Sequence, residues 1–189
     1  SNGRVLAIEP EERNFASLCR AIARQRKQSI IEPILAAAAE TDGPLHLKLN
    51  PYHPGDHKIA DSGIPVTGIR LDTLLSERGG PPVSLIKIDV QGAEARVLAG
   101  GRVAIARDRP VLFIEIDDDA LAAMGSSASA VLSDLANLGY EIHGFDGSTP
   151  TPALTPEAAK KRLDKAGAYL DFLFLPCPEP ADATSLTRP

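Results

Sequence analysis

The sequence predicts an α/β protein, a doubly wound and mostly parallel β-sheet with helices on both faces. Apolar, strand-like runs alternate with helical patterns through the middle of the chain, which is typical of βαβ units. The predicted strands are rich in Val, Ile and Leu, as expected for parallel strands buried between helices. The 189 residues, 43% apolar and 24% charged, are enough for one domain with a substantial core.

The first predicted unit is a strand, an acidic turn and a helix. Residues 4–8 form an apolar run that ends at Glu9. Pro10 is expected at the first helical position, where its missing N–H leaves no hydrogen bond unmade. Apolar residues then recur at helical spacing from Phe15, which predicts a helix that extends to about residue 28.

Two predicted strands and a long loop follow. Residues 29–35 have strand character, and Pro33 within them indicates an edge strand or a bulge. The four alanines at 36–39 are expected to form a loop or a strand end. Residues 45–49 alternate between apolar and polar, as in a half-exposed strand. Residues 50–65 are polar and rich in Pro and Gly, and we predict that they form an irregular loop.

The centre of the chain contains the predicted strand and turn on which the rest of the fold prediction depends. Residues 66–71 predict a strand and residues 72–76 a helical turn. Four of residues 85–90 are apolar and branched, namely Leu85, Ile86, Ile88 and Val90, and we expect a strand that is buried on both faces. Asp89 lies where this strand ends, and Gly92 permits a sharp turn into the next helix.

The rest of the chain continues the alternation of strands and helices. Periodicity and capping signals predict the following elements: two short helices within 93–107, split at Gly100–Gly101; a strand over 110–116; a solvated acidic turn at 117–119; a helix that Ser126 caps and Gly139 ends; a strand over 140–145; a loop over 147–155; a short basic helix from Thr155 to about Gly167; and a last strand over 169–175. We expect residues 176–189 to be a disordered tail.

Composition argues against several classes of protein. The net charge of −5 and the lack of a basic block argue against nucleic acid or an anionic membrane as the main partner. Cys19 and Cys177 are far apart, so neither a zinc site nor a disulfide framework is indicated. The chain has neither an apolar run of about 20 residues nor a signal peptide, so we expect a cytoplasmic protein.

Three carboxylates, Glu9, Asp89 and Glu115, stand at the ends of predicted strands. Ligands of open α/β sheets bind beyond the carboxyl ends of the strands. Glu9 suits a group that accepts hydrogen bonds from the two hydroxyls of a ribose; alternatively, it only stabilises the adjacent helix N-terminus. Asp89 is either a site residue or the cap of the next helix.

Several segments resemble, in order and spacing, the FkbM family of S-adenosylmethionine-dependent methyltransferases. The run KIDVQGAE is the most specific of them, and the resemblance covers about residues 4–175. The segments are RVLAIEP (4–10) with Phe15 and Leu18 following, PGDHK (54–58), IRLDTL (69–74), IKIDVQGAE (86–94) with Val97, Leu98 and Gly100, and RP (109–110) leading into FIE (113–115).

The resemblance implies a class I, Rossmann-like methyltransferase sheet with an antiparallel last strand. It also implies methyl transfer from S-adenosylmethionine to a hydroxyl of a small molecule, typically a sugar or a polyketide. Glu9 then matches the ribose-binding carboxylate, and Asp89 faces the methionine part of the cofactor or the acceptor. The cofactor-binding residues implied are Glu9, Ala37, Ala38, Asp89, Val90 and Gln91.

The sequence departs from the family at its start. The family's first strand, the helix after it and its glycine-rich loop would precede Arg4, and they are not in the sequence given. We therefore expect a methyltransferase-like domain over 1–175 that is incomplete at its N-terminus and binds S-adenosylmethionine poorly or not at all. The alternative is a non-catalytic domain that serves in interaction. A sheet edge left open would favour homo-oligomers.

Methyl transfer to a hydroxyl requires a base within reach of its proton. Asp89, His53 and His57 are candidates. We favour His57 together with Asp89 at the catalytic position, because imidazole titrates near neutrality and the loop is rich in turn residues. A metal cluster of His46, His53, Asp56 and His57 has suitable ligand types, but the spacing fits no known motif and we expect no metal.

Overall fold

The computed structural model describes residues 3–178 as a mixed α/β fold. The predicted tail over 176–189 lies outside the described residues from position 179 onwards, and Pro176 belongs to the last strand. The predicted domain boundary at 175 stays a prediction. Within residues 3–178, no helix is long and apolar enough to cross a membrane.

The first unit has the predicted order of strand, helix and strand. β1 (Val5–Glu9) pairs in parallel with β2 (Ile31–Leu35), and α1 (Glu12–Arg24) connects them. The helix begins two residues later than predicted, because the side chain of Glu11 acts as its N-cap. Among the described residues β2 pairs with β1 alone, so the edge position predicted from Pro33 is confirmed.

A separate mixed sheet follows, in the order β3-β6-β4-β5. It consists of β3 (Ala37–Ala38), β4 (Gly43–Lys48), β5 (Lys58–Ala60) and β6 (Ile64–Ile69), and only β3 and β6 run parallel. β5 lies within residues 50–65, which the sequence predicted to be a loop. Pairing with the edge of β4 overrides the local loop signal there.

The main sheet has the order β7-β8-β12-β9. β7 and β8 are parallel, and β12 runs antiparallel to both of its neighbours, as predicted for the last strand. The elements of this half are α2 (Leu71–Ser76), β7 (Leu85–Ile88), α3 (Glu94–Gly100), α4 (Arg102–Asp108), β8 (Val111–Ile116), α5 (Asp118–Ala123), α6 (Ala128–Asn137), β9 (Tyr140–His143), β10 (Phe145–Asp146), β11 (Thr149–Pro150), α7 (Pro156–Ala166) and β12 (Leu170–Pro176).

The prediction of a mostly parallel, doubly wound sheet is corrected by this topology. Three of the eight strand pairings in the described residues are parallel, and the sheets are mixed. Strand composition could not reveal this, because β12 is as apolar as a parallel strand but pairs antiparallel with β8 and β9.

Side-chain capping explains where the observed helices begin and end relative to the prediction. The acidic turn predicted at 117–119 is the start of α5, where the Asp117 carboxylate accepts the N–H of Ala120 at 3.1 Å. Ser127, and not Ser126, caps α6. The break between α3 and α4 at Gly101 and the limits of α7, capped by Thr155 and ended by Gly167, are confirmed.

The hydrophobic core lies on one face of the main sheet, beneath α3 to α7. Its fully buried strand residues include Ile88, Leu112, Ile114, Phe172 and Phe174. The opposite face is open at β7, where Leu85 is 59% exposed and Lys87 and Asp89 face solvent. The prediction that this strand is buried on both faces is therefore wrong, because its helices all pack on the same side.

Strands β1 and β7 are among those that have an unpaired edge within the described residues. β1 pairs with β2 alone, and β7 pairs with β8 alone. In residues 3–178, strand pairing therefore does not join the β1–β2 sheet to the main sheet, and each presents backbone N–H and C=O groups at an edge.

Gly100 brings α3 unusually close to the end of β3. A Cβ at this position would lie 1.9 Å from the carbonyl oxygen of Ala39 and 3.4 Å from the Cα of Arg70. Asp72 of α2 reinforces this corner, because its carboxylate accepts the N–H groups of Val103 and Ala104 at 3.1 and 2.9 Å. Only glycine fits at this contact.

We expect Gly100→Ala to destabilise the chain by about 3 kcal/mol or more, because a collision with backbone cannot be relieved by a side-chain rotation. The gain of about 1 kcal/mol from alanine's helix propensity is smaller. The free energy of unfolding in urea measures the effect. Gly55→Ala is the control, because nothing lies within 4 Å of a Cβ there. Equal stability of the two variants would contradict the steric argument.

Candidate functional site

Glu9 ends β1 and supports the start of α1. Its Oε1 accepts the backbone N–H of Glu11 at 2.9 Å. Oε2 has no hydrogen-bond partner among the described residues and remains available to a ligand. The two readings of Glu9 from sequence are thus compatible, since one oxygen serves the helix start and the other does not.

His57 lies beside the same helix start. Burial would raise the pKa of Glu11, but the N–H groups of Asn14 and Arg13 and the nearby charge of His57 outweigh it, so that the pKa is lowered. The Asn14 side chain donates to the carbonyl of Pro54 at 2.8 Å. The loop that carries His57 is therefore fixed over the N-terminus of α1.

Asn50 organises this loop. Its backbone N–H donates to His57 Nδ1 at 3.0 Å, and its side-chain amide donates to Asp56 at 2.8 Å. Its Oδ1 accepts the N–H groups of Tyr52 and His53. The lone pair of a neutral His57 ring is thus engaged at Nδ1, and Nε2 carries the proton.

The alanines after β2 form a short buried strand. Ala37 and Ala38 are β3 and pair with Gly68 and Ile69 of β6. Ala37 is buried and Ala38 half-buried. The family resemblance implies that Ala37 or Ala38 lies near the adenine of the cofactor through backbone groups. Pairing with β6 engages part of that backbone, and Ala38 offers a small apolar surface.

The side chains of Asp89 and Lys87 lie on the open face of the main sheet. Lys87 Nζ donates to Asp89 Oδ2 at 2.7 Å and lies 5.7 Å from the centre of the Phe113 ring. Strand register continues this row across the sheet from Phe113 to Leu173 and His143. The cation thus neutralises Asp89, whose side chain is 43% exposed.

Glu115 lies between two other carboxylates on this face. It pairs in register with Asp171 of β12, and Asp89 follows β7 on its other side. Burial raises the pKa of Glu115, and the charges of Asp89 and Asp171 raise it further, against the opposing charge of Lys87. A carboxylate in this setting has increased affinity for a proton.

The turn after β7 brings Gln91 to Glu115. The Gln91 side chain donates to Glu115 Oε1 at 3.3 Å. Its backbone is left-handed, with φ of 54°, and Gly92 follows with φ of 99°. Val90 is half-buried against the core. The turn therefore places Asp89 and Gln91 together at the carboxyl ends of β7 and β8.

Glu94 lies beneath this turn and is 2% exposed. Its Oε1 accepts the N–H of Gly92 at 2.9 Å, whereas Oε2 is buried with no partner among the described residues. Burial raises the pKa of Glu94, although N–H donors in the turn act in the opposite direction, and the charge of Asp117 raises it further.

The structure thus assembles two groups of predicted residues. Glu9 and His57 lie at the start of α1, whereas Asp89 and Gln91 lie with Glu115 on the open face. No hydrogen bond or ion pair joins the two groups in residues 3–178. A cavity of about 110 Å³ lies between α3, α4 and α6 and is lined by none of these residues.

The loop histidines do not assemble a metal site. In the part of the chain that the structure describes, no group of three or more His, Cys, Asp or Glu side chains could hold a metal ion. Asp56 instead binds Asn50 and lies 3.6 Å from Lys58.

Two site residues, Glu94 and Asp171, were missed in the sequence. Glu94 shares a helical stripe with Val97 and Leu98, which is a signal for burial. Asp171 is the one charged residue of an otherwise apolar strand. Both are carboxylates in apolar patterns, and that mismatch was the available signal.

Comparisons with protein families and with solved structures each found a match. A family model described as the methyltransferase FkbM domain matches residues 1–142. The fold is similar to the crystal structure of methyltransferase FkbM from Methylobacillus flagellatus KT, with a TM-score of 0.52 and 18% sequence identity. That match covers 90% of this chain and 36% of the solved one, so the chain spans about a third of its length. No curated protein matches the chain.

The raised pKa of Glu94 predicts how Glu94→Gln alters stability with pH. The unfolded chain ionises Glu94 near pH 4.5, whereas the folded chain resists ionisation. Wild-type stability from this group is therefore present below that pH and lost as the pH rises towards the folded pKa. Glutamine does not titrate, so the melting temperature of the variant relative to wild type should rise between pH 4 and pH 8. A difference that falls with pH would contradict the assignment.

Proposed function

Because the chain belongs to the FkbM methyltransferase family, we propose that it is the catalytic domain of an S-adenosylmethionine-dependent O-methyltransferase of the class I, Rossmann-like type. Its acceptor is a hydroxyl of a small molecule such as a sugar or a polyketide. The position of Glu9, at the carboxyl end of β1 with one oxygen unengaged, carries the proposal.

The residues present fit the nucleoside part of the cofactor. Glu9 Oε2 can accept hydrogen bonds from the ribose hydroxyls, while Oε1 keeps the turn in place. Ala38 offers a small apolar surface for the adenine. Asp89, Val90 and Gln91 are assigned to the methionine part, at the switch between the strands of an open α/β sheet.

S-adenosylmethionine supplies an electrophilic methyl group, which leaves two tasks to the chain: orienting the acceptor and taking up its proton. Three groups compete for the second task. His57 must first give up the Asn50 hydrogen bond at Nδ1. Asp89 is paired with Lys87. Glu115 has a raised pKa and, among residues 3–178, its side chain accepts only the long hydrogen bond from Gln91.

Glu9→Gln tests cofactor binding in the natural protein that contains this chain. The amide keeps an acceptor for the Glu11 N–H but removes the charge that strengthens bonds to the ribose. We expect calorimetric titration to show an affinity for S-adenosylmethionine lowered about tenfold or more. Glu12→Gln makes the same charge change at an exposed position and should leave the affinity unchanged.

Absence of binding by the unaltered protein would sink the proposal and favour a non-catalytic interaction domain. An equal effect of Glu9→Gln and Glu12→Gln would remove Glu9 from the cofactor site but leave the activity open to a direct assay.

Paired variants decide which group takes up the acceptor proton. If it is His57, His57→Ala should lower methyl transfer about 100-fold or more with little change in cofactor affinity. His53→Ala, in the same loop, is the control. Transfer of tritiated methyl groups to a panel of sugar and polyketide alcohols measures turnover. Near-normal turnover of His57→Ala with loss in Glu115→Gln would assign the role to Glu115 instead.

A further inference from the structure

The turn over residues 89–92 has a strained backbone. Gln91 adopts a left-handed backbone conformation that residues other than glycine rarely adopt, at a cost of about 1–3 kcal/mol. Gly92 also has a positive φ, and a Cβ at this position would lie 2.4 Å from the carbonyl oxygen of Ala120. Such a turn persists only where its surroundings hold it.

Glu94 supplies one such restraint. Its Oε1 holds the Gly92 N–H at 2.9 Å, two residues back along the chain and out of contact with water. The N–H groups of Val90 and of Glu94 itself also face the carboxyl group. A buried carboxyl group with one unpartnered oxygen lowers the stability of the fold. Its presence in α3, a helix of seven residues, therefore suggests a role that compensates for the lost stability.

The side chains that the turn carries are those of the proposed site. Asp89 leads into the turn and pairs with Lys87, and Gln91 within the turn donates to Glu115. Glu94 touches neither Asp89 nor the Gln91 side chain by a hydrogen bond. The hydrogen bond that Glu94 does make to the turn is to its backbone, at the Gly92 N–H.

We propose that Glu94 is a positioning residue, which fixes the turn over residues 89–92 through the Gly92 N–H and thereby sets Asp89 and Gln91 for cofactor binding. This inference rests on the proposed function as far as the cofactor is concerned. The part that concerns the backbone stands on the geometry of the turn alone.

Three substitutions at one position separate the possible roles. Glu94→Gln keeps an oxygen acceptor for the Gly92 N–H and the shape of the side chain. Glu94→Leu keeps the volume and removes the acceptor. Glu94→Asp keeps the acid but withdraws it by one methylene group, and it replaces Glu94→Leu if that variant does not fold. Thr155→Ala removes the cap of the distant helix α7 and serves as a control for lost stability alone.

The measurements are the exchange rate of the Gly92 amide proton, the chemical shift of the Gln91 side-chain amide, and the affinity for S-adenosylmethionine by calorimetry. We expect Glu94→Gln to retain Gly92 protection and an affinity within about twofold of the natural protein. Glu94→Leu should exchange Gly92 at least about tenfold faster, shift the Gln91 amide and weaken the cofactor by about tenfold. Thr155→Ala should change none of the three.

Unchanged Gly92 exchange and Gln91 shift in Glu94→Leu would overturn the proposal. Losses in Glu94→Gln as large as those in Glu94→Leu would also overturn it, because the acceptor oxygen would then not be the group that matters. If the natural protein does not bind S-adenosylmethionine, the proposed function fails, whereas the two amide measurements still decide the role of Glu94.

Discussion

The contact between Gly100 and the carbonyl oxygen of Ala39 is the constraint on which the arrangement of the site depends. Ala39 directly follows β3, and Gly100 ends α3, the helix that begins at the turn after β7. This approach therefore holds the small mixed sheet against the main sheet, since no strand pairing connects these two sheets within residues 3–178. The residues assigned to the adenine directly precede Ala39, and those assigned to the methionine part precede α3.

The carboxylates whose pKa values are clearly shifted form two groups. Some accept N–H groups or pair with a cation in the framework and have lowered pKa values, as for Asp108, whose main partner is Arg107, and Asp118, which accepts the N–H of Ala128. Glu94 and Glu115 have raised pKa values, chiefly through burial. Both belong to the region around the turn after β7, and perturbed carboxyl groups of this kind cluster at functional sites.

Sequence patterns predicted the local elements better than their assembly. The edge position of β2 followed from Pro33, and the break at Gly101 from the weakness of glycine in helices. The open face of β7 did not follow, because a run such as Leu85–Ile88 is equally apolar whether helices cover one of its faces or both. The same limit applies to the site: Asp89 could be placed at a strand end, but its row with Glu115 and Asp171 depends on register between distant strands.

The unpaired edge of β2 differs from the unpaired edges of β1 and β7 in its ability to pair with a further strand. Pro33 deprives β2 of one N–H, which makes its outer edge a poor template, whereas β1 and β7 contain no proline and β7 keeps a complete set of donors and acceptors. For protein engineering, this asymmetry defines where a designed extended peptide could be appended to close the sheet. Such a peptide would pair with the backbone groups of β7 and leave the covered core untouched.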